Sequence, residues 1–120
     1  MTEELTPRAL AEELLAVAED KKAWEPVILD VHDKTTVADY FVICEGDTDR
    51  QVRAIADAMV EGARAAGVRP LRVDGYDDAS WVLLDFDAVV AHVFLPGERS
   101  YYDLESLWSA AAKGRAAEAG

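Results

Sequence analysis

Asp85-Phe86-Asp87 is the spacing in this chain best suited to chemistry. Two carboxylates one residue apart at a strand end can hold a magnesium ion for phosphoryl or nucleotidyl transfer, because a hard cation takes oxygen ligands and neutralises developing charge. Such a site also needs a third carboxylate and donors for the phosphates, usually a Gly-Ser turn heading a helix shortly before it. Gly46-Asp47 is the only turn of that type, and it carries Asp where the hydroxyl belongs. A whole helix and strand also separate it from Asp85. Hairpin loops favour Asp for backbone reasons alone. The pair therefore reads as turn chemistry, and no metal is assigned to it.

The other candidates are weaker. A strand, a glycine turn and a helix N-terminus around Gly46 can cradle a phosphate, but Glu45, Asp47 and Asp49 crowd this one with negative charge. His32 beside Asp33 offers a general acid or base, although an exposed histidine next to carboxylates is more often simply solvated. His92 lies inside an apolar strand, where a hydrogen-bonded core histidine is the usual case. Cys44, the only cysteine, sits in an apolar run with no CxxC or Cys/His spacing, so it reads as a buried thiol. There is no Ser/His/Asp order, glycine-rich phosphate loop or HExxH. No catalytic residue and no cofactor is assigned. The remaining signal is aromatic: Tyr101, Tyr102 and Trp108 among acidic neighbours suit a protein interface, where aromatic anchors supply most of the binding energy.

Elements must position these residues. Thr6-Pro7 starts a helix, Thr6 as cap and Pro7 at its first position, with Leu10, Leu14, Val17 and Ala18 on one face. Trp24 and Pro26 fall in its exit. Val27–Val31 and Tyr40–Cys44 are apolar strands. Thr48 and Gln51 fit a capping box for a helix lined by Val52, Ile55, Ala56, Met59, Val60 and Ala63, ended by Gly67 and Pro70. Leu71–Val73 alternates apolar and charged residues, as an edge strand does. Trp81–Leu84 and Val89–Phe94, separated by a short acidic break, form an antiparallel hairpin whose near-continuous apolar character predicts cover on both faces. A last helix follows over Tyr101–Trp108. Together these make an α/β fold: a single layer of mixed β-sheet, about five strands, flanked by helices. Residues 1–110 form one domain and 111–120 a disordered tail.

Composition narrows the partners. The 120 residues carry 12 basic and 24 acidic side chains, a formal net charge of −12. That balance opposes phosphate backbones, so no DNA binding and little direct RNA contact are expected, and it favours a basic protein. No apolar run is long enough to span a membrane, and the acidic N-terminus is no signal peptide. The expected compartment is the cytoplasm.

The same residues resemble the ribosomal silencing factor (Iojap) family. The likeness runs through Asp39–Cys44, Gly46, Arg50-Gln51-Val52, Ala54–Asp57, Gly75-Tyr76, Trp81–Asp85 and His92-Val93-Phe94, ending with Arg99, Tyr101–Glu105 and Leu107-Trp108. It implies a fold like the nucleotidyltransferase core without its catalytic residues. It further implies a non-enzymatic homodimer that binds the large ribosomal subunit through its protein fourteen. There it would block joining of the small subunit and lower translation when nutrients run short. The implied contact residues are Tyr76, Trp81, Leu83, Tyr101, Tyr102, Asp103, Leu104 and Trp108. Two departures stand out: the hairpin loop has Asp87-Ala88 where the family has glycine and then an acid, and Glu45 and Asp47 replace small hydroxyl residues around Gly46.

Overall fold

The computed structural model describes residues 5–97. The helix expected over Tyr101–Trp108 and the tail from 111 lie outside them. Helix α1 spans Pro7–Asp20, and the Ala9 N–H donates to the Thr6 side-chain oxygen at 3.0 Å. Strand β1 is Trp24–Asp30 and β2 is Tyr40–Glu45. Helix α2 is Asp49–Ala65, and β3 (Arg72–Asp74), β4 (Trp81–Asp85) and β5 (Val89–Phe94) complete the described elements.

The sheet order is β1-β2-β5-β4-β3, with β2 and β5 parallel and the other neighbours antiparallel. The central pair is thus joined late: β5 inserts between β2 and β4 after α2 has carried the chain to the far edge. Both helices pack on one face. Leu10, Leu14, Ile55 and Met59 bury themselves against Val42, Cys44, Val82, Leu84, Ala91 and Val93. Full burial of each large apolar side chain here stabilises by roughly 1.5–3 kcal/mol. The opposite face gathers Phe41, Ile43, Val90 and Phe94 with Val31 and Ala38, rimmed by Val27, Leu29, Trp81 and Leu83.

Three expectations need correction. Trp24 and Pro26 belong to β1 rather than to the helix exit; a register shift between Trp24 and Val27, with Glu25 at φ 42°, lets the strand start early. Proline is tolerated there because β1 is an edge strand, where an N–H is not needed for pairing. Cover on both faces holds for β5, buried throughout, whereas β4 alternates: Val82 and Leu84 are buried, Trp81, Leu83 and Asp85 half-buried. The capping box is shifted by one residue. Gln51 N–H donates to Thr48 Oγ1 at 3.0 Å, but the Gln51 side-chain oxygen accepts from the amide of Asp47 at 2.7 Å.

Candidate functional site

The antiparallel register pairs Trp81 with Phe94 and Leu83 with His92. Paired residues share a face and so do residues two apart, so these four side chains project from the sheet face opposite α1 and α2. The indole Nε1–H of Trp81 donates to His92 Nδ1 at 3.1 Å. The imidazole lies parallel to the Phe94 ring, centroids 6.2 Å apart, and meets Phe41 edge-on at 4.9 Å. Trp81 also leans on Phe94 at 5.2 Å. Because Nδ1 accepts, the ring proton of neutral His92 sits on Nε2. That Nε2 is buried and meets no hydrogen-bond partner among the described residues. Burial pushes the His92 pKa down to about 4, so the ring is neutral at physiological pH. The result is an apolar patch with a buried floor of Ile43, His92 and Phe94 and a half-open rim of Trp81 and Leu83.

The turn before β4 sets Trp81. Gly75 adopts φ 77°, and a Cβ on it would lie 2.1 Å from the Trp81 carbonyl oxygen. Only glycine permits that approach. Ala79, buried and also at positive φ, donates its N–H to the Gly75 carbonyl at 2.8 Å, and Leu95 N–H donates to the Ser80 carbonyl at 3.0 Å. Tyr76 leaves this turn in the other direction. Its hydroxyl donates to Asp57 Oδ2 of α2 at 3.0 Å, and Arg53 donates to the carbonyls of Tyr76 and Asp77 at 3.1 and 2.6 Å. Trp81 and Leu83 are therefore brought together and Tyr76 is not. Tyr101, Tyr102, Asp103, Leu104 and Trp108 lie outside the described residues. Phe41, His92 and Phe94, absent from the contact set implied by resemblance, complete the patch; the two-residue spacing of His92 and Phe94 opposite Leu83 and Trp81 was the available signal.

The acidic hairpin loop has a different use. Asp85 Oδ1 accepts from the Asp87 amide at 2.8 Å, and Phe86 N–H donates to the Val89 carbonyl at 2.9 Å. Asp87 takes φ 79°, the left-handed position that glycine would fill without strain. Trp81, Phe94 and Glu45 are in register at one end of the strands, while Asp85, Val90 and Phe41 are in register toward the other. Gly46 follows Glu45 directly. Asp85 and the Gly46 turn are thus separated by four residues of strand, roughly 13 Å, at opposite ends of the sheet. They cannot act on one phosphate. The Gly46 turn is also filled by its own chain: the Asp47 and Gln51 amides are taken by the cap, and a Cβ on Gly46 would meet the Val52 amide nitrogen at 2.9 Å. Among the described residues no cluster of three or more His, Cys, Asp or Glu side chains is arranged to hold a metal ion. His32 is clasped by two carboxylates, Nδ1 to Asp30 at 2.5 Å and Nε2 to Asp33 at 3.0 Å. The sequence pointed to Asp33 and missed Asp30, whose hydrogen bond is the main cause of the raised His32 pKa. No helix of the described residues is long and apolar enough to cross a membrane.

The chain is similar to known proteins of the ribosomal silencing factor kind. A family model described as "Ribosomal silencing factor during starvation" matches residues 4–119. Ribosomal silencing factor RsfS of Bacillus subtilis is 46% identical over 93 residues, covering 78% of this chain and 79% of that protein. A more distant mouse relative, "Mitochondrial assembly of ribosomal large subunit protein 1", is 28% identical over 99 residues, 80% of this chain and 43% of its own length. A crystal structure of a Chromobacterium violaceum protein superimposes with a TM-score of 0.84 at 33% identity, covering 86% of each chain. The fold is shared with the Chromobacterium violaceum structure, the family model spans nearly the whole sequence, and the chain belongs to the ribosomal silencing factor family.

Proposed function

We propose that the chain binds the large ribosomal subunit through its protein fourteen and represses translation by keeping the small subunit from joining, notably when nutrients run short. Family membership supports the ribosome as partner. The observation that carries the contact is the patch of Trp81 and Leu83: half-open, apolar and on the sheet face away from α1 and α2. Aromatic anchors over a buried floor are where binding energy concentrates. The net charge of −12 supports a basic protein, rather than RNA, as the surface met. Tyr101, Tyr102, Asp103, Leu104 and Trp108 extend the proposed contact, while Tyr76, tied to α2, is left out of its centre. Steric exclusion requires no bond-making, so the protein is read as a stoichiometric, non-enzymatic repressor, homodimeric and cytoplasmic, needing no cofactor.

The test is sedimentation with separated subunits. The protein is expected to travel with large subunits and not with small ones, and to deplete joined ribosomes when added to a mixture. Equal binding to small subunits would defeat the occlusion reading. The double variant Asp85→Asn, Asp87→Asn is expected to inhibit joining within about threefold of the parent, because neither carboxylate performs chemistry.

A further inference from the structure

We propose that His92 is a positioning residue for the Trp81 contact: it engages the indole N–H within the protein, so that Trp81 offers a partner only its apolar ring. The inference rests on the reading of Trp81 as an anchor and adds the chemistry of the pocket it enters. A docked indole usually brings its N–H to an acceptor. Here the donor is already spent on His92 Nδ1 at 3.1 Å. His92 has little freedom to release it, since its ring is buried in β5 between the rings of Phe41 and Phe94. Burial also keeps the imidazole neutral, so Nδ1 remains an acceptor. The complementary surface is therefore aliphatic or aromatic, with no carbonyl or carboxylate aimed at the indole nitrogen.

A second observation points the same way. His92 Nε2 is buried with no acceptor among the described residues, and an unpaired buried donor is destabilising. An apolar residue would serve the core better at this position. The fold bears that cost while the other nitrogen fixes Trp81, which is what a positioning role requires.

Affinity for purified large ribosomal subunits is measured by co-sedimentation for the parent, Trp81→Ala, Trp81→Phe, His92→Leu and His92→Gln, each with its melting curve. Trp81→Ala is expected to weaken binding about thirtyfold or more. Trp81→Phe should stay within about fivefold, since no hydrogen bond to the partner is lost. His92→Leu should weaken binding about tenfold while melting holds steady or rises, and His92→Gln, whose side-chain oxygen can accept from the indole, should recover most of the loss. In the free parent protein the Trp81 indole proton should exchange slowly with solvent. Rapid exchange, a loss in Trp81→Phe as great as in Trp81→Ala, parent-like binding by His92→Leu, or a His92→Leu defect matching its loss of folding would each overturn the proposal. A parent protein that does not bind large subunits, or a Trp81→Ala variant that binds fully, would overturn the contact reading and the proposal with it.

Discussion

At the scale of single residues, the two histidines of this protein pull its acid stability in opposite directions. Native His92 stays neutral down to about pH 4, while the unfolded chain takes up that proton near 6.5. Below 6.5 the unfolded state therefore binds a proton that the native state refuses, and stability falls as pH drops toward 4. Linkage makes this loss roughly 3 kcal/mol across the window. His32 has the reverse sign: its bond to Asp30 raises its pKa, so its contribution is present below 6.5 and is lost as pH rises through the raised value. His32 is exposed and screened by solvent, so the slope belongs to His92. Urea unfolding at intervals from pH 7 to 4.5 should show a steep decline in the parent and a much flatter one in His92→Leu; parallel slopes would remove His92 as the cause. Asp87 gives a second residue-scale prediction. Its left-handed φ of 79° is costly for a residue with a Cβ. Asp87→Gly keeps the amide that donates to Asp85 and should stabilise by about 0.5–1 kcal/mol, read as a higher urea midpoint. The histidine in an apolar strand was legible in sequence as a bonded core residue. Its partner was not, because Trp81 meets it only through the strand register.

At the scale of elements, the piece that matters most is the turn between β3 and β4. Gly75→Ala forces a Cβ into the Trp81 carbonyl in a left-handed conformation, and the backbone carrying Trp81 must shift. A cost of about 2–4 kcal/mol is expected from strain of this kind. Large-subunit affinity of the folded fraction should fall as well if Trp81 is the anchor proposed above; denaturant unfolding beside co-sedimentation checks both. Much of this framework could be read beforehand. Thr6-Pro7 and Thr48 announce helix starts through capping chemistry, and the paired apolar runs around Asp85–Asp87 announce a hairpin. Strand order could not be read, since nothing local says that β5 inserts between β2 and β4. The same blindness hid Tyr76: five residues from Trp81 in sequence, it folds over the opposite side of the sheet, and only its bond to Asp57 reveals which. β1 was shortened for a local reason, as Pro26 resembles a helix exit unless the strand is known to be an edge.

At the scale of the whole molecule, charge should govern how the proposed contact patch meets a partner. The net charge of −12 is spread over a small surface, and Glu45, Asp47, Asp77 and Asp78 all belong to the end of the sheet where Trp81 begins β4. Arg53 on α2 is committed to the carbonyls of Tyr76 and Asp77 and lies 3.5 Å from Asp49, while Lys21 and Lys22 also reach this end, their carbonyls accepting from Gln51 Nε2 at 3.4 Å. Glu45, Asp47, Asp77 and Asp78 thus lie at the same end of the sheet as the apolar centre at Trp81. Against a basic protein such a rim speeds encounter, and salt should slow it. Against ribosomal RNA the same rim would be repelled, and salt should speed association. The sign of the salt effect therefore distinguishes the two surfaces without any structure of the complex. With magnesium held constant, raising monovalent salt about tenfold should lower the association rate by about an order of magnitude and change dissociation less than about threefold, because rim charges act mainly on encounter. Asp47→Asn with Asp77→Asn should reproduce a few-fold part of that loss at low salt and none at high salt. Stopped-flow association with large subunits measures both. An association rate that rises with salt would place the protein against RNA and remove the basic partner from the proposal.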